Sequence, residues 1–146
     1  MNNEIKNIKK LIVDQSLELD CGKIIKNFPI AYETYGNLNK EKDNAILVFH
    51  ALTGDQFCTN INPITKREGW WTFAVGPGKA IDTNKYFVIC ANVLGGCMGS
   101  YGPTEINPET NKLFGTSFPI ITIKDIVKAQ KFLIDYLGIK KLLSVI

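Results

Sequence analysis

Two stretches of the chain are apolar at almost every position, "AILVFHA" at 45–51 and "YFVICANVL" at 86–94. Runs of this kind, rich in branched and aromatic residues, are typical of strands covered on both faces in a parallel sheet. Two other stretches alternate apolar and polar residues, "SLELDC" at 16–21 and "FPIAYETYG" at 28–36. This alternation predicts half-exposed antiparallel strands near an edge of the sheet.

The clearest helical pattern runs from Thr122 to Gly138. Thr122 can cap the first turn together with Asp125, and Gly138 is a typical helix stop. The residues that follow, 142–146, are mostly apolar and predict a strand beside one of the two core strands, because helix, glycine and strand make half of a crossover unit. The apolar face of the helix is predicted from residues spaced three and four apart: Ile123, Ile126, Val127, Leu133, Ile134 and Leu137.

These elements together predict an α/β domain with a mostly parallel sheet and an antiparallel N-terminal edge. The segment 36–44 is a polar turn, and long loops follow each core strand. In an open parallel sheet the chemistry lies just past the carboxyl ends of the strands. Long ordered loops are also more often functional than idle, so the loops after 51 and after 94 are where we look for a site.

The composition indicates a globular protein in a reducing compartment. The chain has 146 residues, 45% of them hydrophobic and 21% charged, with a net charge of only +3. That charge is too small to favour nucleic acid, and no apolar run is long enough to span a membrane. The polar N-terminus "MNNEIKNIKK" lacks the apolar segment of a signal peptide, so we expect a cytoplasmic protein. The cysteines form no metal-binding pair, and we expect reduced structural thiols and no metal.

Three features could carry chemistry. The glycine-rich "LGGCMGSYGP" at 94–103 fits a tight turn better than a nucleotide-binding loop, because no helix can follow its prolines. His50 is the only histidine; it is a structural residue or a base for Cys58 or Cys97. The turn "HALTGD" at 50–55 presents backbone amides at the end of a strand, where an acyl-transfer enzyme places one donor of its oxyanion hole.

Several longer motifs, in order, carry a family resemblance. "HALTGD", "VGPGKAIDTNKYFVICANVLGGCMGS", "GPTEINPETNKLFG" and "FPIITIKDIVKAQKFLIDYLGIKKL" resemble the homoserine O-acetyltransferases, α/β-hydrolase-fold acyltransferases. The resemblance covers about 28–146 and implies that 1–146 is a single, incomplete α/β-hydrolase domain without the family's helical lid. It further implies transfer of an acetyl group from acetyl-CoA, as a substrate with no cofactor, to L-homoserine in methionine biosynthesis.

The resemblance also implies where the site residues lie. The backbone amide of Leu52 would be one oxyanion-hole donor, with Ala51, Thr53 and Gly54 shaping the loop. In the family the strand that matches "LLSVI" leads into the nucleophile elbow, so the triad serine, acid and histidine are expected outside this chain, and His50 is not the triad histidine. We expect these residues by themselves to be inactive and to need a complementing C-terminal polypeptide; the full-length family is expected to form homodimers.

Several alternatives remain open at this stage. A homoserine or serine O-succinyltransferase relative would share the same motifs, and a non-catalytic ligand-binding module would share the same fold. A cysteine-dependent hydrolase would use Cys58 or Cys97 with His50, although we expect Cys97 to be a buried small residue. Tyr101 and Thr72 depart from the family pattern, and Trp70 with Trp71 is expected to anchor a loop against the core.

Overall fold

The computed structural model of the protein describes residues 8–146. The N-terminal segment from which we argue against a signal peptide lies mostly outside this range. In chain order the strands are β1 (Lys10–Val13), β2 (Leu17–Glu18), β3 (Ile24–Ile25), β4 (Phe28–Tyr35), β5 (Ala45–Val48), β6 (Val75–Gly76), β7 (Ile81–Asp82), β8 (Phe87–Ala91), β9 (Ile106–Asn107), β10 (Lys112–Leu113) and β11 (Ser144–Val145), with a 3₁₀ turn at Gly115–Ser117 and helix α1 (Ile123–Tyr136) before β11.

The main sheet has the order β1-β4-β8-β5-β11 within the described residues. Its core is the parallel pair β5 and β8, with Ile46 opposite Val88, and every residue of both strands is buried. β11 joins β5 on the other side in parallel, with Ser144 opposite Ile46. The two core strands and the final parallel strand are therefore confirmed, and all three end at the same edge of the sheet.

The predicted antiparallel N-terminal edge of the sheet is confirmed. β4 runs antiparallel to β8, with Tyr32 opposite Ala91, and lies next to the edge strand; it is more buried than the alternating pattern predicts, since none of its residues is exposed. β1 covers its other side, with Leu11 opposite Ile30. The pattern did not predict β1, because its few apolar residues follow a polar, lysine-rich stretch.

The first alternating stretch forms a strand only at β2. It pairs with β3 in a small hairpin of its own, so its predicted place near the edge of the main sheet is wrong. The alternation itself is correct, since Leu17 and Leu19 are buried and Glu18 is exposed. Two apolar residues suffice to dock a short hairpin on the core without entering the sheet.

Helix α1 begins and ends where the sequence predicts. The Thr122 side chain accepts a hydrogen bond from the Asp125 amide and the Asp125 carboxylate accepts one from the Thr122 amide, which is a complete capping box. Gly138 follows the helix with a φ of +70°, a conformation that glycine adopts without strain. The apolar face is only partly confirmed: Leu133 and Ile134 are buried, whereas Ile123 and Val127 are exposed.

A groove of about 680 Å³ runs between α1 and β11. Leu47, Ile134 and Val145 contribute apolar wall, and the side chain of Gln130 lies there as well. Gln130 is 2% exposed, yet neither its amide nitrogen nor its amide oxygen has a hydrogen-bond partner among the described residues. Within residues 8–146, α1 packs on this face of the sheet and Leu47 is buried, but the part beside β11 is open, since Val145 is 56% exposed.

The described residues contain neither a membrane-spanning helix nor a metal-binding cluster. No helix in residues 8–146 combines the length and the hydropathy needed to cross a bilayer. In the same range no group of three or more histidine, cysteine, aspartate or glutamate side chains is arranged to hold a metal ion.

Candidate active site

The loop after β5 carries the residues that the sequence singles out. The chain leaves the strand at Val48 and turns back at once, because the Gly54 amide donates to the Ala51 carbonyl over 2.8 Å. A Cβ at Gly54 would lie 3.1 Å from the His50 Cβ and 3.2 Å from the Ala51 oxygen, so only glycine fits without displacement. The sequence HALTG therefore folds as a tight turn at the carboxyl edge of the sheet.

Leu52 stands at the tip of this turn. Its side chain is 95% exposed, and its backbone amide donates no hydrogen bond to any group in residues 8–146. Backbone amides that are not paired within the fold are the groups from which oxyanion holes are made. The structure thus leaves the amide of Leu52 available for a ligand.

His50 is buried and both of its ring nitrogens are occupied. Nδ1 lies 2.7 Å from the Ala51 carbonyl oxygen and must donate to it. Nε2 then accepts from the Val93 amide at 3.2 Å and faces the Asn92 side-chain nitrogen at 3.3 Å. With no lone pair left for a substrate, His50 cannot act as a base.

The ends of β5 and β11 lie side by side. The Phe49 amide donates to the Ile146 carbonyl over 2.8 Å, and the Ile146 amide donates to the Leu47 carbonyl over 3.0 Å. Because the two strands are parallel, the carboxyl end of β11 points toward the turn that carries Leu52.

The glycine-rich loop after β8 is a tight turn, as predicted. The Asn92 side-chain oxygen accepts from the Met98 amide at 3.1 Å, and a Cβ at Gly96 would lie 2.6 Å from that oxygen. Ser100 joins the loop to β4, since its hydroxyl donates to the Asn92 carbonyl at 2.6 Å and accepts from the Ala31 amide at 3.0 Å. The polar groups of this loop therefore form hydrogen bonds within the loop and to β4.

The four cysteines are free, but they do not share one environment. Cys97 is exposed, so the prediction of a buried residue is wrong; the preceding glycines turn the chain outward there. Cys58 and Cys90 are fully buried in the same cluster. A hydrogen bond with Cys90 lowers the pKa of Cys58, and the same contact together with burial raises the pKa of Cys90. A buried thiol cannot reach a substrate, which argues against Cys58 as a nucleophile. Cys97 is exposed, but His50 has no free ring nitrogen with which to act as its base.

Comparison with known proteins gives a consistent result. No protein-family model matches the chain. A homoserine O-acetyltransferase from Pelagibacter ubique (strain HTCC1062) is 68% identical over 139 residues, which is 95% of this chain and 37% of that protein. One from Nitrobacter hamburgensis is 60% identical over 133 residues, 91% of this chain and 33% of that protein.

The chain is related to the homoserine O-acetyltransferases.

Solved structures agree with this relationship. The crystal structure of a homoserine O-acetyltransferase from Bacillus anthracis has a TM-score of 0.84 and 35% identity, covering 94% of this chain and 38% of that one. Esterase E22 has a TM-score of 0.82 and 36% identity, covering 95% and 39%. The predicted fold class, the N-terminal part of an α/β-hydrolase fold, is confirmed, although the described main sheet is mixed, with two parallel and two antiparallel pairings, where a mostly parallel sheet was predicted. The chain spans about a third of the length of the curated homoserine O-acetyltransferases that it matches.

Two positions depart from the homoserine O-acetyltransferase pattern, and the structure explains one of them. Tyr101 packs its ring against Phe28, Phe114 and Phe118, with centroid distances of 6.3, 5.7 and 5.4 Å. A large ring is therefore accommodated by an aromatic cluster outside the Leu52 turn. Thr72 forms part of a turn, in which its amide donates to the Gly69 carbonyl over 3.5 Å, but this main-chain bond does not explain why a threonine stands there.

The predicted anchoring of the loop against the core is confirmed for Trp71, whereas Trp70 is 40% exposed. Their rings stack with centroids 5.5 Å apart and an interplanar angle of 14°. The Trp70 indole nitrogen donates to the Asp55 carbonyl over 2.9 Å, and Trp71 packs against the buried cluster that contains Cys58. The pair ties the long loop after β5 to the end of the Leu52 turn.

Sequence reasoning missed two residues of the site. Asn92 and Val93 hold the His50 ring, although the pattern gave neither of them a role. A signal was available: His50 and Asn92 each follow a buried parallel strand, and neighbouring parallel strands bring the residues after them together at one edge.

Proposed function

We propose that this chain is the N-terminal part of the catalytic domain of a homoserine O-acetyltransferase. The whole protein would move an acetyl group from acetyl-CoA to the side-chain hydroxyl of L-homoserine, a step of methionine biosynthesis. The observation that carries the proposal is the unpartnered amide of Leu52, at the carboxyl edge of β5 and beside the end of β11. The names of the relatives supply the substrates.

The chemistry needs a donor at this place. When an acyl group is transferred, the carbonyl oxygen becomes an oxyanion in the tetrahedral intermediate, and backbone amides aimed at it stabilise the transition state. In α/β-hydrolases one amide comes from the residue after the nucleophile and the other from a loop that follows another strand. The amide of Leu52 fits the second role, and Ala51, Thr53 and Gly54 complete its turn.

The remaining catalytic groups would come from outside these 146 residues. The triad of this fold follows in the order serine, acid, histidine, with the serine on a sharp turn after a strand. β11 is a parallel strand whose end lies next to the Leu52 turn, so a serine placed directly after such a strand would face the amide of Leu52. His50 cannot serve as the base, since both of its ring nitrogens are used within the fold.

The proposal includes no metal and no bound cofactor, because acetyl-CoA is consumed as a substrate. The free thiols fit a reducing compartment, and we propose the cytoplasm. We also propose a single α/β-hydrolase domain for 1–146, completed by a C-terminal polypeptide, and a homodimer for the whole enzyme.

Hydrolysis of acetyl esters is a second candidate activity. Esterase E22 and an acetylester hydrolase from Corynebacterium glutamicum are among the similar structures. Both reactions use the same oxyanion hole and differ in whether water or a hydroxyl substrate accepts the acetyl group. Succinyl-CoA as donor or serine as acceptor would equally leave the Leu52 turn unchanged.

A chimera tests the proposal. In this chimera, these 146 residues replace the segment that they match in the Pelagibacter ubique relative, and the rest of the protein comes from that relative. Its release of CoA from acetyl-CoA is measured with L-homoserine, with L-serine and with water alone, and succinyl-CoA is tested as a second donor. The unaltered relative is the positive control.

We expect a soluble chimera that acetylates L-homoserine with acetyl-CoA and hydrolyses acetyl esters much more slowly. A chimera with a cooperative thermal transition that releases CoA equally fast with and without homoserine would instead support the esterase. A folded chimera with neither activity would contradict the proposed function.

A further inference from the structure

We propose that His50 is a positioning residue that aims the amide of Leu52 at the oxyanion. This inference rests on the proposed function, because it concerns the same oxyanion hole, and it assigns a task to a histidine that is not part of the triad. The connection is the peptide unit between Ala51 and Leu52, which contains both the carbonyl that His50 binds and the amide that would bind the substrate.

The Ala51 carbonyl is held by two donors. His50 Nδ1 lies 2.7 Å from its oxygen and the Gly54 amide lies 2.8 Å from it. In a planar trans peptide the N–H points in the opposite direction from the C=O. Fixing the Ala51 oxygen toward the sheet therefore fixes the Leu52 N–H away from it, toward the open side of the turn.

The His50 ring is itself held from the neighbouring strand. The Val93 amide donates to Nε2 at 3.2 Å, and this bond sets the tautomer that places the proton on Nδ1. Asn92 packs beside it and is 2% exposed. Its own backbone is tied to β4, because its amide donates to the Ala31 carbonyl over 2.8 Å. The direction of the Leu52 amide is thus set by residues that directly follow the two buried strands β5 and β8.

Two substitutions separate the two ends of the imidazole. His50→Asn places an amide nitrogen close to the position of Nδ1, so it keeps the bond to the Ala51 carbonyl and loses the bond from Val93. His50→Gln reaches the position of Nε2, so it keeps the bond from Val93 and loses the bond to Ala51. Both variants remove one hydrogen bond from the same buried site. If His50 were purely structural, the two variants would therefore change kcat by similar amounts.

We expect the pair to differ in kcat. His50→Gln lowers kcat of the chimera about 10- to 100-fold with little change in KM, because a misdirected donor loses part of the 10²- to 10³-fold effect of an oxyanion-hole group. His50→Asn stays within about threefold of the unsubstituted chimera, since the donor to Ala51 is retained. Thr122→Ala, which removes a helix cap away from the turn, controls for lost stability and leaves kcat unchanged.

A second readout does not depend on activity. In leucine-labelled chimera the amide proton of Leu52 is followed by NMR. Its chemical shift should be retained in His50→Asn and should move in His50→Gln. Equal losses of kcat in the two variants, or a Leu52 amide that responds to neither, would overturn the inference. The activity of the unsubstituted chimera tests the proposed function by itself. Failure of the proposed function can therefore be distinguished from failure of the inference about His50.

Discussion

The amide of Phe49 donates to the carbonyl of Ile146 over 2.8 Å, which joins the last described residue to the first residue after β5. Together with the bond from the Ile146 amide to the Leu47 carbonyl, it holds the end of β11 beside the turn that contains Leu52. In an α/β-hydrolase the two oxyanion-hole amides follow two different strands, so the spacing between those strands sets the width of the hole. The pairing of β5 with β11 is therefore the part of this sheet on which the proposed chemistry depends.

Removing the amide of Leu52 should abolish most activity of the chimera. Leu52→Pro eliminates the N–H, and we expect kcat to fall about 10²- to 10³-fold with a much smaller change in KM, since the donor acts mainly in the transition state. Leu52→Ala is the matched control, because it keeps the amide and trims a side chain that is 95% exposed. Circular dichroism and thermal melting of both variants show whether the turn tolerates proline. A folded Leu52→Pro variant with normal kcat would exclude this amide from the oxyanion hole.

The buried carboxylate of Asp125 should make the stability of the chimera depend on acid pH. Burial by itself raises the pKa of Asp125, but hydrogen bonds from the Thr122 amide, the Asp20 amide and the Thr122 hydroxyl outweigh it and hold the pKa below 3.8. Because the folded pKa lies below the unfolded one, this contribution is complete above about pH 4 and is lost as pH falls through the folded pKa.

Asp125→Asn tests that dependence. At pH 7 we expect the variant to lose about 1–3 kcal/mol of unfolding free energy, the usual effect of removing hydrogen bonds to a charged cap. Between pH 5 and about pH 2 its stability should change less than that of the unsubstituted chimera in urea titrations. Asp135→Asn, at an exposed position of the same helix, should stay within about 0.5 kcal/mol. If unfolding free energy depended on pH in the same way for Asp125→Asn and for the unsubstituted chimera, the Asp125 carboxylate would not be the source of the acid sensitivity.

Two glycines with the same backbone conformation should tolerate alanine very differently. Gly36 has a φ of +77° and Gly78 a φ of +70°, but a Cβ at Gly36 would lie 2.3 Å from the Tyr86 carbonyl oxygen, whereas at Gly78 nothing lies within 4 Å. Gly78→Ala should cost about 1–2 kcal/mol, the strain of a left-handed residue. Gly36→Ala should cost a further 1–3 kcal/mol for the steric overlap. Equal melting temperatures for the two variants would show that the turn after β4 relaxes without penalty.

Thiol chemistry should leave the activity of the chimera unchanged. Cys97 is exposed and accessible to iodoacetamide, whereas Cys58 is buried. We expect Cys97→Ser to retain full acetyl transfer, and we expect iodoacetamide treatment of the unsubstituted chimera to leave its activity unchanged, because no thiol takes part in the proposed reaction. Loss of activity in Cys97→Ser, with normal thermal stability, would revive the cysteine-dependent alternative.

Local signals explain why part of the fold was predictable. β5 and β8 are continuous apolar runs, and α1 carries both a capping box and a glycine stop, so each element is specified by its own residues. β1 and the hairpin of β2 with β3 were not predictable in the same way, since strands of two to four residues depend on the partner that they meet. The burial of β4 likewise depends on β1 covering it.

The site was predictable only in part. The residues of the HALTGD turn stand out by their place after a strand, but the sequence pattern cannot show that the amide of Leu52 lacks a partner. Nor does it show which nitrogen of His50 binds Ala51, because that depends on the Val93 amide, which lies just after β8 and about forty residues away in the chain. The exposure of Cys97 depends on how the preceding glycines turn, which apolar pattern does not encode.

The strand order β1-β4-β8-β5-β11 has a consequence for how the protein is made. Among the described residues no two neighbouring strands of the main sheet are consecutive in the chain. β5 leaves the ribosome well before β8, and its other neighbour, β11, is about a hundred residues later. Sheets built from such distant pairings fold slowly and expose apolar strands in the meantime. We therefore expect the nascent chain to depend on chaperones until β8 has emerged.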